Sequence, residues 1–197
     1  MGTRWEKRKG ELERKIVETA IQLFRAGGFE ATTMEGIAEA TEIAKGTLYK
    51  YFPNKEAIIN KYRKLAVQDG ESELQEIISM EPDTYSRLLK VMIKINKWNE
   101  EHKDILRMNN AYRLNDLLST KGQAIKESTL EATLLRIIRP AYEKGELRND
   151  ISAESLVRYF MSLYATYFLG WLYDGENNLG KAGLEEIVQL FLYGARK

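Results

Sequence analysis

The segment AKGTLYKYFPNKEA, from Ala44 to Ala57, contains the clearest structural signals of the chain. Pro53 disfavours helical backbone at the residue before it, so a helix that begins at Lys45 must end by Phe52. Leu48 and Phe52 are spaced i, i+4 and can face a core together. The other residues of this short helix then have no core-facing role, and they include two tyrosines and a lysine in a row: Lys45, Thr47, Tyr49, Lys50 and Tyr51. A helix of this length cannot bury them all, so their role depends on the flanking sequence.

A second short helix is predicted just before this one. It runs from Met34 to Ala40 with Thr33 as its N-cap, and residues 41–44 are too few for anything but a turn. Upstream, an apolar stripe with helical period ends at the glycine pair 27–28. Two short helices joined by a tight turn are typical of a helix-turn-helix, and equally of a plain helical hairpin in a bundle.

The remaining segments also have helical periodicity, without strand-like alternation. We expect one helix from Asn54 to about Met80, roughly 40 Å long. Further helices are expected near residues 84–99, 102–118, 122–144, 152–173 and 182–195. The sequence therefore predicts an all-α fold of about nine helices.

The composition limits the class of protein. The 197 residues carry 30 Lys and Arg against 29 Asp and Glu, so a polyanionic partner must bind a local basic patch. The absence of cysteine excludes disulfides and thiolate metal sites. The charged first ten residues do not form a signal peptide, and the apolar run 159–173 falls short of the roughly 20 residues that span a bilayer. We expect a cytosolic protein that does not enter a membrane.

The sequence offers little to an enzyme. Its only histidine, His102, lies in the charged stretch NEEHKD, and the adjacent carboxylates Glu100 and Glu101 do not face one another on a helix. Glycine-rich phosphate loops and nucleophile elbows are absent. We therefore expect no catalytic residue, no metal site and no cofactor. A helical scaffold that binds only proteins is the alternative class, and it leaves the KGTLYKYF face unexplained.

The residues of the 45–51 helix suit double-stranded DNA. A lysine neutralises phosphate or donates to guanine, a tyrosine hydroxyl reaches phosphate, and a threonine methyl contacts thymine. Gly46 has no side chain and lets the helix start approach the groove closely, where free amides favour an anion. We expect this helix to lie in the major groove.

The segment GGFEATTMEGIAEATEIAKGTLYKYFPNKEAII resembles the DNA-binding signature of the tetracycline-repressor (TetR) family of transcription regulators. The resemblance covers roughly residues 16–59. It implies a homodimeric repressor whose second domain binds a small-molecule effector and thereby releases a pseudo-palindromic operator. Two residues depart from the family pattern: Glu42 stands where a glycine is usual, and Ala44 stands where a serine or similar cap is usual.

The resemblance also assigns roles and domains. It implies phosphate contacts from Thr33, Tyr49, Tyr51 and Lys55, and places at or near base edges Lys45, Gly46, Thr47 and Lys50. It divides the chain into a DNA-binding domain, residues 1–53, and a helical ligand-binding and dimerisation domain, residues 54–197. The N-terminal basic residues form either an arm along the DNA backbone or minor groove, or a solvated disordered tail: Arg4, Lys7, Arg8 and Lys9.

The second domain is expected to supply the dimer interface and the ligand pocket. Aromatic residues crowd the 152–173 helix on several faces, so one face is expected to meet a partner copy together with Ile187, Leu190 and Phe191. A pocket needs apolar walls and a few polar groups. The candidate lining residues are Met92, Trp98, Met108, Tyr112, Arg113, Tyr164, Tyr167 and Phe168. They favour a medium-sized apolar or amphipathic ligand, and Arg113, if inward, an anionic one.

Overall fold

The computed structural model describes residues 4–108, 129–174 and 180–195. Nine helices lie entirely within these ranges, and no β-strand is found there, which confirms the predicted all-α fold. The helices are α1 (Arg4–Gly27), α2 (Met34–Thr41), α3 (Lys45–Tyr51), α4 (Lys55–Asp69), α5 (Glu71–Met80), α6 (Thr84–Glu101), α7 (Thr129–Glu143), α8 (Ala153–Asp174) and α9 (Lys181–Ala195). Residues 103–108 are also helical, up to the end of the first described range.

The described residues divide into two compact units. The N-terminal unit comprises residues 4–68 and 104–108, and the C-terminal unit comprises residues 69–103, 129–174 and 180–195. Residues 54–68 therefore pack with the helix-turn-helix, whereas the sequence-based division starts the second domain at residue 54.

The N-terminal unit has one apolar core, to which each of its helices contributes. Its fully buried members include Phe24 from α1, Ile37 from α2, Leu48 from α3 and Ile58 from α4. Ile105, from the 103–108 segment, is also fully buried in this core. The core fixes the two short helices on the longer ones, so the side of α3 that faces away from Leu48 is open to solvent.

The first helix begins much earlier than the apolar stripe that predicted it. Arg4 already belongs to α1, so the basic N-terminal residues lie on exposed helical turns. Contact of these residues with the DNA backbone or minor groove stays a prediction, whereas the alternative of a disordered tail was wrong. The reason is intrinsic propensity: arginine, lysine and glutamate favour helix, and Gly10 alone does not end it.

The predicted continuous helix from Asn54 to Met80 was also wrong. Helix α4 ends at Asp69 and α5 begins at Glu71, with Gly70 between them at φ −86° and ψ 0°. Glycine is the poorest helix former after proline, which makes Gly70 the natural site for the break. The boundary between the two units falls at the same place, between Gln68 and Asp69.

In the C-terminal unit, α6 packs against α5, α7 and α9, and α8 packs against α7 and α9. The Phe160 ring of α8 meets the Phe191 ring of α9 edge to face, with centroids 5.1 Å apart. Phe191 and Ile187 are thus buried within their own unit, and the prediction that they face a partner copy was wrong. Leu190, the third residue of that set, is exposed.

Candidate nucleic-acid interface

The turn between α2 and α3 is built by backbone hydrogen bonds. At its start, α2 is capped by Thr33, whose Oγ1 accepts a hydrogen bond from the Gly36 N–H at 3.0 Å, as predicted. At its end, Glu42 has φ 61° and ψ 41°, and Ile43 donates to the Ala38 carbonyl at 3.0 Å. Glu42 therefore occupies the left-handed position where glycine is usual at a helix C-terminus.

Helix α3 begins without a side-chain cap. Ala44 is in the extended conformation of an N-cap, φ −64° and ψ 139°, and its carbonyl accepts from Thr47 and Leu48. Its methyl group cannot accept a hydrogen bond, so the family's usual cap is missing here. The turn nevertheless closes, and the departure at Ala44 leaves the bounds of α3 as predicted to within one residue.

The two faces of α3 differ as the sequence predicted, with one correction. Leu48 and Phe52 are buried. The exposed residues of the helix are Lys45, Gly46, Tyr49 and Lys50. Thr47 is half-buried, and Tyr51 is half-buried and packs against the core, so the expectation that neither has a core-facing role was wrong for Tyr51.

A surface ion pair links the two short helices. The Lys45 ammonium of α3 pairs with the Glu35 carboxylate of α2, and both side chains are more than half exposed. The hydrogen bond to Glu35 raises the pKa of Lys45, and the same bond lowers the pKa of Glu35. The Lys45 ammonium also lies 5.9 Å from the centroid of the Tyr49 ring. The first cation of α3 is therefore already partnered within the protein.

Two further lysines near the helix-turn-helix donate to backbone carbonyls. Lys55 Nζ donates to the Phe29 carbonyl at 2.5 Å and lies 4.4 Å from the Phe29 ring centroid. Lys15 Nζ donates to the Thr41 carbonyl at 3.0 Å and lies 3.6 Å from the Glu42 carboxylate. Since an ammonium has three donors, Lys55 keeps capacity for a phosphate beside its structural bond. Sequence reasoning missed this structural role of Lys55.

Of the eight predicted ligand-lining residues, the structure describes six, five of them in the C-terminal unit and one, Met108, in the N-terminal unit. Met92 on α6 and Phe168 on α8 are buried in the C-terminal unit. Trp98 stacks on the His102 ring, with centroids 4.2 Å apart. Tyr167 donates to the Gly180 carbonyl at 3.2 Å, and burial raises the pKa of its hydroxyl. Met108 packs against the core of the N-terminal unit, while Tyr112 and Arg113 lie outside the described residues.

Tyr164 joins a buried polar group of three side chains. Its hydroxyl donates to Asn96 Oδ1 at 2.5 Å and accepts from Asn99 Nδ2 at 2.8 Å. Both asparagines are buried on α6. Asn99 was missed, although its i, i+3 spacing from Asn96 places the two amides on one helix face. Buried amides must be hydrogen-bonded, and here they fix the Tyr164 hydroxyl in place.

A groove of about 660 Å³ lies within the C-terminal unit, between α5, α7 and α8. Its apolar lining includes Leu135 and Val157, and two arginines of α7, Arg136 and Arg139, also line it. Arg136 pairs bidentately with Glu71, and Arg139 donates to Glu154 at 2.6 Å. The pKa of Glu71 is lowered mainly by its hydrogen bond from Arg136. None of the six predicted ligand-binding residues that the structure describes lines this groove.

Other kinds of site are not found among the described residues. There, no three His, Asp or Glu side chains are grouped so that they could hold a metal ion. No helix in the described ranges is long and apolar enough to span a bilayer.

The chain is similar to known proteins both in its sequence and in its fold. Residues 16–62 match the family model of bacterial regulatory proteins, tetR family. YvkB, an HTH-type transcriptional regulator of Bacillus subtilis, is 25% identical over 186 residues, 92% of this chain and 95% of YvkB. The repressor KstR of Mycobacterium tuberculosis is 23% identical over 165 residues, 82% of this chain and 71% of KstR.

Among solved structures, the chain is similar to Thermus thermophilus FadR, a TetR family transcriptional repressor crystallised in complex with lauroyl-CoA. The sequences are 26% identical, and the TM-score is 0.77. The match covers 92% of this chain and 94% of FadR.

Proposed function

Since the chain belongs to the tetR family of bacterial regulatory proteins, we propose that it is a homodimeric repressor that a small amphipathic molecule releases from a pseudo-palindromic operator. The observation that carries this proposal is the two-sided character of α3. Leu48 and Phe52 fix the helix to the core, while Lys45, Tyr49 and Lys50 stay exposed on its other side. This face carries the donors that contact phosphates and base edges in the major groove.

The DNA contact is tested by selection of bound duplexes from a random pool, followed by measurement of operator affinity for two variants. Lys50→Ala and Tyr49→Ala should weaken operator binding, because each removes a donor from the exposed face of α3. Both residues are exposed, so the variants should keep the parent's stability. Operator affinities equal to that of the parent, in folded variants, would refute the assignment of α3 to the groove.

The dimer is supported by an exposed stripe along α8. The stripe repeats at intervals of three and four residues and consists of Tyr159, Ser162, Thr166, Leu169 and Tyr173. Small residues at its centre allow two copies of the helix to approach closely, and large ones at its ends supply apolar area. On α9, Leu190 and Tyr193 are 60% and 74% exposed. We propose that these residues meet their counterparts in a second copy and hold two α3 helices about 34–36 Å apart.

The effector that we propose is an acyl-CoA, an apolar chain joined to a phosphate-bearing head. The similarity to a repressor crystallised with lauroyl-CoA supports this class. The groove between α5, α7 and α8 supports it independently, because it combines apolar walls with the guanidinium groups of Arg136 and Arg139. Guanidinium groups bind phosphate bidentately, and the exposed carboxylates that now pair with them can be displaced. The predicted residues on α6 and α8 stay candidates for contact with the acyl chain.

The effector proposal is tested by thermal denaturation with lauroyl-CoA, lauric acid and free CoA. Lauroyl-CoA should raise the melting temperature most, and Arg136→Gln combined with Arg139→Gln should reduce that shift. Arg148→Gln is the control, because Arg148 is a half-buried, ion-paired arginine of the same unit that does not line the groove. An equal shift in the double variant and the control would exclude the groove as the site of the CoA head.

The release step has its own test. Lauroyl-CoA should weaken operator binding, and linkage then requires operator DNA to weaken lauroyl-CoA binding by the same factor. A hundredfold effect corresponds to a preference of roughly 2.7 kcal/mol for the released form. Equal lauroyl-CoA affinities with and without operator would show a DNA-binding protein whose ligand site does not control it.

A further inference from the structure

We propose that Glu35 of α2 restrains Lys45 of α3, so that this lysine contributes little to binding of arbitrary DNA and engages only at a specific site. Glu35 would thereby be a specificity-determining residue that itself contacts no base. The inference rests on the proposed function, because it requires α3 to face DNA.

The geometry places the restraint directly beside the helix that would enter the groove. Lys45 is the first residue of α3 and Glu35 the second residue of α2, so their ion pair spans the turn between the two helices. The side chains are 60% and 52% exposed, respectively. The Lys45 ammonium is therefore held at the surface, between a carboxylate and the face of the Tyr49 ring.

The raised pKa of Lys45 and the lowered pKa of Glu35 agree on this pairing. In each case the largest cause is the hydrogen bond to the other residue. Lys50, on the same helix, is a natural contrast. It is exposed, and within the described ranges it makes no ion pair. Lys45 would thus meet DNA while it is paired with a carboxylate, whereas Lys50 would meet DNA as a cation that makes no ion pair within the described ranges.

The difference matters because binding to arbitrary DNA is driven by phosphate neutralisation and counterion release. A lysine that a carboxylate already neutralises gains little by meeting a phosphate, and the carboxylate itself repels the backbone. An exposed ion pair is nevertheless weak, so a well-placed guanine edge displaces it. Arbitrary sequences seldom supply such a partner. The pair therefore lowers affinity for arbitrary DNA more than affinity for the operator.

The chain offers a matched control in Glu39. Glu39 lies one turn further along α2, is exposed, and makes no ion pair within the described residues. Glu35→Gln and Glu39→Gln change the net charge equally, on the same helix, but only the first frees Lys45. Any excess effect of Glu35→Gln over Glu39→Gln therefore reports on the pair rather than on general charge.

The test uses the full chain and a mixed-sequence duplex that lacks the operator, titrated over a series of salt concentrations. Glu35→Gln should bind this duplex about two- to fivefold more tightly than Glu39→Gln. Its slope of log affinity against log salt should be steeper by about 0.9, the value of one added phosphate contact. In a Lys45→Gln background the excess should disappear, because no lysine remains to be freed. Affinity for the selected operator should change less, so the ratio of specific to non-specific affinity falls.

Equal affinities and slopes for Glu35→Gln and Glu39→Gln, or an excess that persists without Lys45, would overturn the inference. Lys50→Ala, measured on the same duplex, shows whether only the restraint of Lys45 is wrong or the assignment of α3 to DNA as well. If Lys50→Ala weakens binding while the two glutamine variants agree, only the restraint is wrong. If Lys50→Ala leaves binding unchanged, α3 does not face DNA, and the inference falls together with the proposed function. Melting temperatures confirm that each variant is folded.

Discussion

The missing cap on α3 gives a quantitative prediction. Ala44 has the extended backbone of an N-cap, and its carbonyl already accepts from Thr47 and Leu48. Its side chain is exposed, so a hydroxyl can replace a methyl hydrogen without a clash. The Ala44→Ser variant supplies an oxygen that can accept from an N–H of the first turn, in the way that Thr33 Oγ1 accepts from Gly36 at the start of α2.

The magnitude follows from measured caps. Exchange of alanine for serine at an N-cap is worth about 0.5–2 kcal/mol, typically about 1 kcal/mol. The backbone at Ala44 needs no rearrangement, so we expect Ala44→Ser to stabilise the protein by about 1 kcal/mol. If the whole chain unfolds together, this raises the melting temperature by about 2–4 °C, and if the N-terminal unit unfolds alone, by about 4–8 °C.

Urea denaturation, followed by circular dichroism, measures the change as a shift of the midpoint at constant slope. The matched control is Thr33→Ala, which removes the existing cap on α2 and should destabilise the protein by about the same 1 kcal/mol. Ala44→Gly should also stabilise the protein, by most of this amount, because glycine at an N-cap is only a few tenths of a kcal/mol poorer than serine and much better than alanine. If Thr33→Ala is destabilising while Ala44→Ser has no effect or destabilises, a side-chain oxygen at position 44 does not cap α3, and the reasoning is refuted.

Three further predictions follow from burial and charge. Leu190→Asp should give a folded monomer at micromolar concentration, because Leu190 is exposed. Phe191→Asp should instead unfold the C-terminal unit, because the Phe191 ring is buried. Light scattering measures the loss of the dimer, and circular dichroism measures the unfolding. Tyr51→Ala should cost about 1–3 kcal/mol in urea denaturation, and Tyr49→Ala less than about 0.5 kcal/mol, because only Tyr51 packs against the core. The lowered pKa of Glu71 stabilises the fold above its unfolded pKa and ceases to do so as pH falls through its folded pKa. The melting temperatures of Glu71→Gln and the parent should therefore converge as pH falls from about 6 to about 3, and a constant difference would contradict the pairing.

The helix-turn-helix was predictable because local signals agree there. Apolar spacing, an N-cap threonine and a proline stop define α2 and α3 to within one residue. Tyr51 was misjudged although a signal exists: it is spaced i+3 from Leu48 and therefore lies beside it on the helix surface. The break at Gly70 also had a local signal, since a glycine between two acidic residues is a weak point in any helix.

The packing of the helices against one another was not predictable from the sequence. Helix α9 is apolar on two sides, and only its packing on α8 decides that Phe191 is inside and Leu190 outside. The groove brings α7 and α8 together with Glu71 of α5, which precedes Arg136 by 65 residues. Arg136 and Arg139, spaced i, i+3 on α7, were the signal for it in the sequence. Periodicity identifies a face of a helix but does not identify what that face meets.

The charges of the N-terminal unit bear on how a dimer binds DNA. Lys15 and Lys55 donate to backbone carbonyls, and Lys45 is paired with a carboxylate, whereas Lys50 is exposed and makes no ion pair within the described ranges. The exposed first turns of α1 add further basic residues, namely Arg4, Lys7, Arg8 and Lys9. With a net charge of only +1 on the chain, we expect each reading head of the proposed dimer, that is, the helix-turn-helix of one copy, to make few phosphate contacts.

Affinity must then come from two heads on one duplex, because the second head binds at the high effective concentration that the first provides. Loss of one head therefore costs far more than half of the affinity, which lets an effector act by disengaging a single head. The same argument predicts the salt dependence. Each phosphate contact adds about 0.9 to the slope of log affinity against log salt, so the parent dimer should show about twice the slope of the monomeric Leu190→Asp variant on the same operator. Equal slopes, measured by fluorescence anisotropy over one salt series, would mean that a single head carries the binding and that dimerisation serves another purpose.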